Sequence, residues 1–244
     1  MPMSNSVVII PTYNEIENID AIINAVFELP KDFHVLIVDD NSPDGTSQRV
    51  RDLQHQFKDN LFLELRQEKS GLGTAYIHGF KWAIGKKYDY IFEMDADFSH
   101  NPTDLLRLLK ACEKGADVSV GSRYKKGVNV VNWPLYRILL SYGASFYVKM
   151  ITGMRVHDPT AGFVCYKRYV LENIDLDSVR FVGYAFQIEM KFRAYLKNYK
   201  LEEVSIIFKD RVKGKSKMSS SIISEAIWGV FVMKLRSLFQ KNRF

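Results

Sequence analysis

Residues 7–45 read VVIIPTYNEIENIDAIINAVFELPKDFHVLIVDDNSPDG, and this stretch decides the fold class. It opens with an apolar run, Val7 to Ile10, and its second run is Val35 to Val38. Between them Ile16, Ile19, Ile22, Ile23, Val26 and Phe27 fall on one stripe at the 3.6-residue spacing of a helix. Two short runs of β-formers joined by an amphipathic helix make the unit of a parallel sheet. The pattern continues outward. Leu61-Phe62-Leu63, Tyr90 to Met94 and Val118-Ser119-Val120 read as further strands, and Leu105, Leu106, Leu108, Leu109 and Cys112 as another helical stripe. This alternation implies an α/β fold with a mostly parallel central sheet flanked by helices. Ligands of such sheets bind beyond the carboxyl ends of the strands, so the residues just after each run are the candidates for chemistry.

After the first run comes Pro11-Thr12-Tyr13-Asn14-Glu15, and after the second Asp39-Asp40-Asn41-Ser42-Pro43-Asp44-Gly45. Asp95-Ala96-Asp97 follows the fourth and Gly121-Ser122-Arg123-Tyr124 the fifth. Asp44-Gly45 reads as turn chemistry. Asp39-Asp40 and Asp95-Ala96-Asp97 read differently, because anions crowded at one rim cost energy unless a cation or a donor network compensates. Two carboxylates at a strand end suit Mg²⁺ or Mn²⁺, hard cations that bridge protein oxygens to substrate phosphates. The opposite charge lies in the loop Lys209 to Lys217, where Arg211 and Lys217 flank Gly214 and Ser216. An isolated basic run is ordinarily a solvated surface, but cations beside a metal motif complete a sugar-diphosphate site. No Walker phosphate loop occurs, and Gly71-Leu72-Gly73 reads as helix capping or close packing. His34, His55 and His78 have no partners at metal spacing; His100 stands three residues beyond the acidic pair, beside a helix start at Asn101-Pro102.

From about Gly127 the pattern changes. Residues 133–154 form a long helical stretch with Leu135, Ile138, Leu139, Tyr142, Phe146, Tyr147, Met150 and Ile151 on its apolar side, for which core packing is the default expectation. Gly183 to Asn198 reads as a helix and Leu201 to Phe208 as a strand. The segment from Ile222 carries Trp228, Phe231, Val232, Leu235, Leu238 and Phe239 on one side, with Lys234, Arg236, Lys241 and Arg243 among them. A basic aromatic helix of this kind lies in a membrane interface. Nucleic acid is the competing anion, but the aromatics sit at helical core spacing, and 34 Lys+Arg less 28 Asp+Glu leaves only +6. Hydrophobic residues at 47% and charged residues at 25% belong to an ordinary folded protein, and two cysteines make no disulfide framework. The start lacks a signal-peptide pattern, and no apolar run is long enough to span a bilayer. The expectation is a cytoplasmic protein, peripheral on the cytoplasmic face of a membrane.

Five motifs, at 7–15, 38–46, 93–102, 121–124 and 210–217, resemble the dolichol- and polyprenol-phosphate mannose synthases, inverting family 2 glycosyltransferases with a GT-A fold. The resemblance runs collinearly from Val7 to Met218. It implies a GT-A catalytic domain over residues 1–218, followed by a C-terminal basic amphipathic helix over 219–244. It also implies nucleotide-sugar binding at Pro11, Tyr13, Glu15, Val38, Asp40, Asp95, Ala96 and Asp97, with Asp95 and Asp97 as metal ligands. Arg123, Arg211 and Lys217 look like the phosphate-binding cations, and with Asp97 make the catalytic set. Asp158, Gln187 and Glu189 fall on the acceptor side. The implied reaction moves mannose from GDP-mannose to a polyprenyl phosphate, with UDP-glucose or UDP-N-acetylglucosamine as alternative donors. A non-catalytic module binding nucleotide and anionic lipid is the reading from another class. The chain resembles the short form of the family, which implies attachment to the membrane surface and, in eukaryotic members, a small membrane subunit.

Overall fold

The structure, a computed structural model, describes residues 4–210 and 220–239. β1 (Ser6–Thr12), α1 (Ile19–Phe27), β2 (His34–Asp39), α2 (Thr46–Gln56), β3 (Leu61–Leu65), α3 (Leu72–Gly85) and β4 (Tyr90–Glu93) alternate from the start. α4 (Asp104–Glu113) leads into β5 (Val118–Ser122), and a short β6 (Val130–Val131) precedes α5 (Leu135–Thr152). β7 (Val164–Lys167), α6 (Arg168–Asn173), α7 (Tyr184–Leu196), β8 (Leu201–Ser205), β9 (Phe208–Lys209) and α8 (Ser220–Phe239) follow.

Seven strands make one sheet in the order β3-β2-β1-β4-β7-β5-β8. All run in one direction except β7, which is antiparallel to both of its neighbours, β4 and β5. The ends of β1, β2, β4 and β5 therefore open onto a single rim. The run Leu201–Phe208, expected as one strand, divides: β8 pairs with β5, while β9 leaves the sheet to pair with β6.

Alternating side chains feed two apolar layers. Val7, Ile9, Leu36 and Val38 face Tyr76 and Phe80 of α3 and Phe186 and Met190 of α7. Val8, Ile10, Val35 and Ile37 face Ile19, Ile22, Ile23 and Val26 of α1 together with Leu105, Leu108 and Leu109 of α4. At Gly73 a Cβ would lie 2.7 Å from the Phe181 carbonyl oxygen and 2.8 Å from the Phe186 ring, so close packing requires this glycine.

The apolar stripe of α5 overturns the core-packing default. Leu135, Leu139, Phe146 and Met150 are 70%, 63%, 60% and 66% exposed, while the buried positions of this helix are Ser145, Val148 and Thr152. α5 packs on α8 instead of on the sheet, and the two meet α7 through a separate small cluster of Val148, Met154, Ile188, Phe192, Val230 and Met233. Trp228, Leu238 and Phe239 of α8 are likewise exposed.

Candidate active site

At the β1–β2 end of the rim, Asp39 and Asp40 have separate tasks. Asp39 is fully buried; it accepts hydrogen bonds from Thr12 Oγ1 at 2.7 Å, Ser42 N at 2.9 Å and Ser42 Oγ at 2.6 Å, which ties the ends of both strands together. Asp40 turns the other way, with Oδ1 3.2 Å from Arg66 Nε; burial pushes its carboxyl up and Arg66 opposes the rise. Asp44 accepts from Thr46 N and Oγ1 and from Ile16 N, the turn chemistry expected of it. Glu15 donates its N–H to Thr46 Oγ1, and its Oε2 accepts from the Asn18 amide. Tyr13 carries the Lys69 ammonium over its ring, 4.4 Å from the centroid. Pro11 and Val38 are register partners across the β1–β2 ladder.

β4 delivers the acidic pair. Met94 N still bonds Ile9 O in the manner of the sheet, after which the chain turns and Phe98 takes a left-handed φ of 59°. That turn is closed by Ser99 N donating to Asp97 Oδ1 at 3.0 Å and by Asp95 N donating to His100 Nδ1 at 3.3 Å. Ala96 and Asp97 are buried, and Tyr76 Oη donates to Asp95 Oδ1 at 3.4 Å. The His100 ring stacks on Phe163, and burial lowers its pKa to about 4, so it is neutral at pH 7. Its Nδ1 acts as an acceptor, which places the ring proton on Nε2.

Across the rim, Arg123 directly follows β5. The guanidinium donates to Asp158 through Nε at 2.7 Å and Nη2 at 2.6 Å, the backbone N–H adds a third bond at 3.0 Å, and Nη2 also reaches Thr160 Oγ1. Tyr124, Trp133 and Phe208 ring it at 5.3–5.5 Å. Burial would raise the Asp158 carboxyl, but Arg123 holds it below the usual range. Arg137, from the first turn of α5, also lies over the Trp133 ring, 4.1 Å from its centroid, and pairs with Asp210 at 2.9 Å.

The residues grouped on the acceptor side are engaged inside the protein. Asp158 clamps Arg123; Gln187 Oε1 accepts from Lys191; Glu189 pairs with Arg193 at 2.7 Å and accepts the N–H groups of Arg180 and Phe181. All three are buried, so they shape the site from within rather than line it. Arg211 and Lys217 lie outside the described residues. Sequence reasoning missed Arg66, Arg137 and Lys191. Arg66 reaches Asp40, Arg137 reaches Asp210 and Lys191 reaches Ala161 across the fold, and the one available signal was a charge interspersed on a largely apolar helix at position 137.

Among the described residues no three His, Cys, Asp or Glu side chains converge as a metal cage. Asp95 and Asp97 nonetheless fit a hard cation: both offer oxygen alone, and Mg²⁺-type sites commonly take one or two carboxylates and complete their shell with phosphate and water.

The family model described as "Glycosyl transferase family 2" matches residues 7–175. The "Polyprenol monophosphomannose synthase" of Mycolicibacterium smegmatis is 43% identical over 242 residues, covering 99% of this chain and 91% of that protein. The "Undecaprenyl-phosphate mannosyltransferase" of Micrococcus luteus is 41% identical, covering 91% and 93%. Among solved structures, the mannosyltransferase PcManGT from Pyrobaculum calidifontis, in complex with GDP-Man and Mn²⁺, superposes with a TM-score of 0.63 at 17% identity over 97% of this chain and 64% of that one, a likeness of fold.

Proposed function

The chain belongs to glycosyl transferase family 2, and we propose that it transfers mannose from GDP-mannose to the phosphate of a polyprenyl lipid, with inversion at the anomeric carbon. In this reaction an acceptor phosphate oxygen forms the new bond to the anomeric carbon, and the bond from that carbon to the donor diphosphate breaks, releasing GDP. The nucleophile is already anionic at pH 7, so no strong general base is needed. The neutral His100, with its Nδ1 engaged by a backbone N–H, agrees with that economy. Tyr13, Glu15 and Asp40 bind the nucleotide end, while Asp95 and Asp97 are the residues that would hold Mg²⁺ or Mn²⁺. When bound, the cation would offset charge on the departing diphosphate. Arg123, locked by Asp158 and ringed by aromatics, presents a cation whose position costs nothing to organise during reaction, and Arg211 and Lys217 add further positive charge. The two anionic substrates repel, and these cations offset that repulsion.

The acceptor in this reading is a lipid, and the exposed apolar residues of α5 and α8 support docking of the Arg123 side of the rim on the cytoplasmic face of a membrane. No helix among the described residues is long and apolar enough to cross one. An apolar surface of this extent on a folded chain marks an interaction face, and Lys149 and Arg236 on the same helices suit anionic head groups.

The observation that carries the reading is the single rim that holds both the carboxylates of Asp95 and Asp97 after β4 and the buried Arg123 after β5. The test is a panel of GDP-mannose, UDP-glucose and UDP-N-acetylglucosamine, each offered with Mn²⁺ and polyprenyl phosphate in vesicles, with sugar counted in the lipid phase. Mannolipid from GDP-mannose is expected. Product from a UDP donor alone reassigns the sugar, and nucleotide binding without any lipid product reduces the chain to a binding module. Transfer by the purified chain shows that a small membrane subunit is dispensable.

A further inference from the structure

The segment between α5 and β7 that contains Asp158 has no regular secondary structure over residues 153–163, yet it fixes the guanidinium of Arg123. Its own support comes from buried charged side chains at both ends. On β8, Glu203 is 7% exposed; its Oε1 accepts the N–H of Asp158 at 2.9 Å, its Oε2 accepts the N–H of His157 at 2.9 Å, and the His157 ring Nδ1 lies 2.6 Å from the same Oε2. From α7, the fully buried Lys191 donates to Ala161 O at 2.6 Å. β8 is also the parallel partner of β5, with Val120 opposite Glu203 and Ser122 opposite Ser205. The strand that ends at Arg123 and the strand that anchors its counter-ion are thus locked in one ladder.

We infer that Glu203 is a positioning residue for the transfer, acting through the His157–Asp158 backbone on the Asp158 carboxylate and so on the direction of Arg123. The inference rests on the reading that Arg123 serves a substrate phosphate. A carboxylate is the group this job requires. Two successive backbone N–H groups point at it, and it accepts both with charge-assisted bonds. An amide would turn an NH₂ group toward one of them and leave that donor unpaired in a buried place. Glu203 belongs to neither of the large apolar clusters, so its exchange spares the core.

The test is a double-mutant cycle in steady-state kinetics, with GDP-mannose and polyprenyl phosphate in detergent: wild type, Glu203→Gln, Arg123→Ala and the double variant. Glu203→Gln is expected to lower kcat by about 10- to 100-fold, the scale of a misplaced catalytic group, with the KM for GDP-mannose within about twofold of wild type. In the Arg123→Ala background the same exchange should have little further effect, because the group it positions is gone. Should Glu203→Gln fail to fold, Glu203→Asp, which keeps the charge on a shorter arm, takes its place in the cycle with the same expectation. An unchanged kcat, or a loss that multiplies in full with that of Arg123→Ala, overturns the inference. A wild type without transfer, or an Arg123→Ala variant with normal turnover, overturns the functional reading, and this inference with it.

Discussion

The two ends of the rim were put together in different ways. Around β1, β2 and β4 each candidate side chain stands within a few residues of a strand end, and its register follows from the parallel ladders. At Arg123 the opposite holds: its counter-ion lies 35 residues along the chain, and the support for that counter-ion a further 45. The first end gathers acidic groups and holds them with partners from the neighbouring strand ends: Thr12 and Ser42 on Asp39, Arg66 on Asp40 and Ser99 on Asp97. The second satisfies its charge internally and so holds one guanidinium in one place. Local chemistry suffices to arrange a binding motif, whereas a fixed cation needs long-range packing.

The largest effect that would sharpen this contrast is at Asp97. Asp97→Ala should lower kcat by about 10²–10³ or more, the scale of losing one transition-state electrostatic group, while the thermal midpoint hardly moves. Near-normal turnover in that variant would remove the metal from the acidic end. Asp158→Asn should behave in the opposite sense. It leaves Arg123 buried without its counter-charge and should cost about 3–5 kcal/mol of stability as well as activity, read by urea denaturation. Because the Asp158 carboxyl is held low in the folded state, its contribution is present above the usual carboxylate range and is lost as pH falls through its folded value. The gap between wild type and Asp158→Asn should therefore close in acid.

Smaller effects come next. Leu139→Ser with Phe146→Ser should raise the KM for vesicle-borne acceptor by about 10-fold, from lost apolar burial, without changing the KM for GDP-mannose or the thermal midpoint. A drop in midpoint instead would make α5 a structural helix. The smallest lies under the acidic end, where burial pushes Glu93 up to about 8 against the pull of Lys191. With its folded pKa above the unfolded value, Glu93 contributes stability that is complete below about 4.5 and lost as pH rises through about 8. Relative to wild type, Glu93→Gln should gain a few degrees in midpoint between pH 5 and 8, and an unchanged difference across that window would refute the shift.

Much of the acidic end was legible because its code is short. Asp44 announces a turn by its neighbours, and Asp95-Ala96-Asp97 announces itself by following a β-forming run. The division of labour between Asp39 and Asp40 was not legible, since adjacent carboxylates look alike until Thr12 and Ser42 close on one of them. Gln187 and Glu189 carry an acceptor-side expectation from resemblance alone, and their contacts with Lys191 and Arg193 are visible only in the packing.

Periodicity and strand-end residues by themselves determined the α/β class, the parallel rim and the acidic motif, because each is written within one turn or one strand of chain. The reversal of β7, the burial of Asp158 against Arg123 and the exposure of the α5 stripe were decided by tertiary structure alone. An apolar stripe on a helix states that it must be covered, but what covers it depends on which layer the rest of the chain brings alongside, and that information is spread over the whole fold.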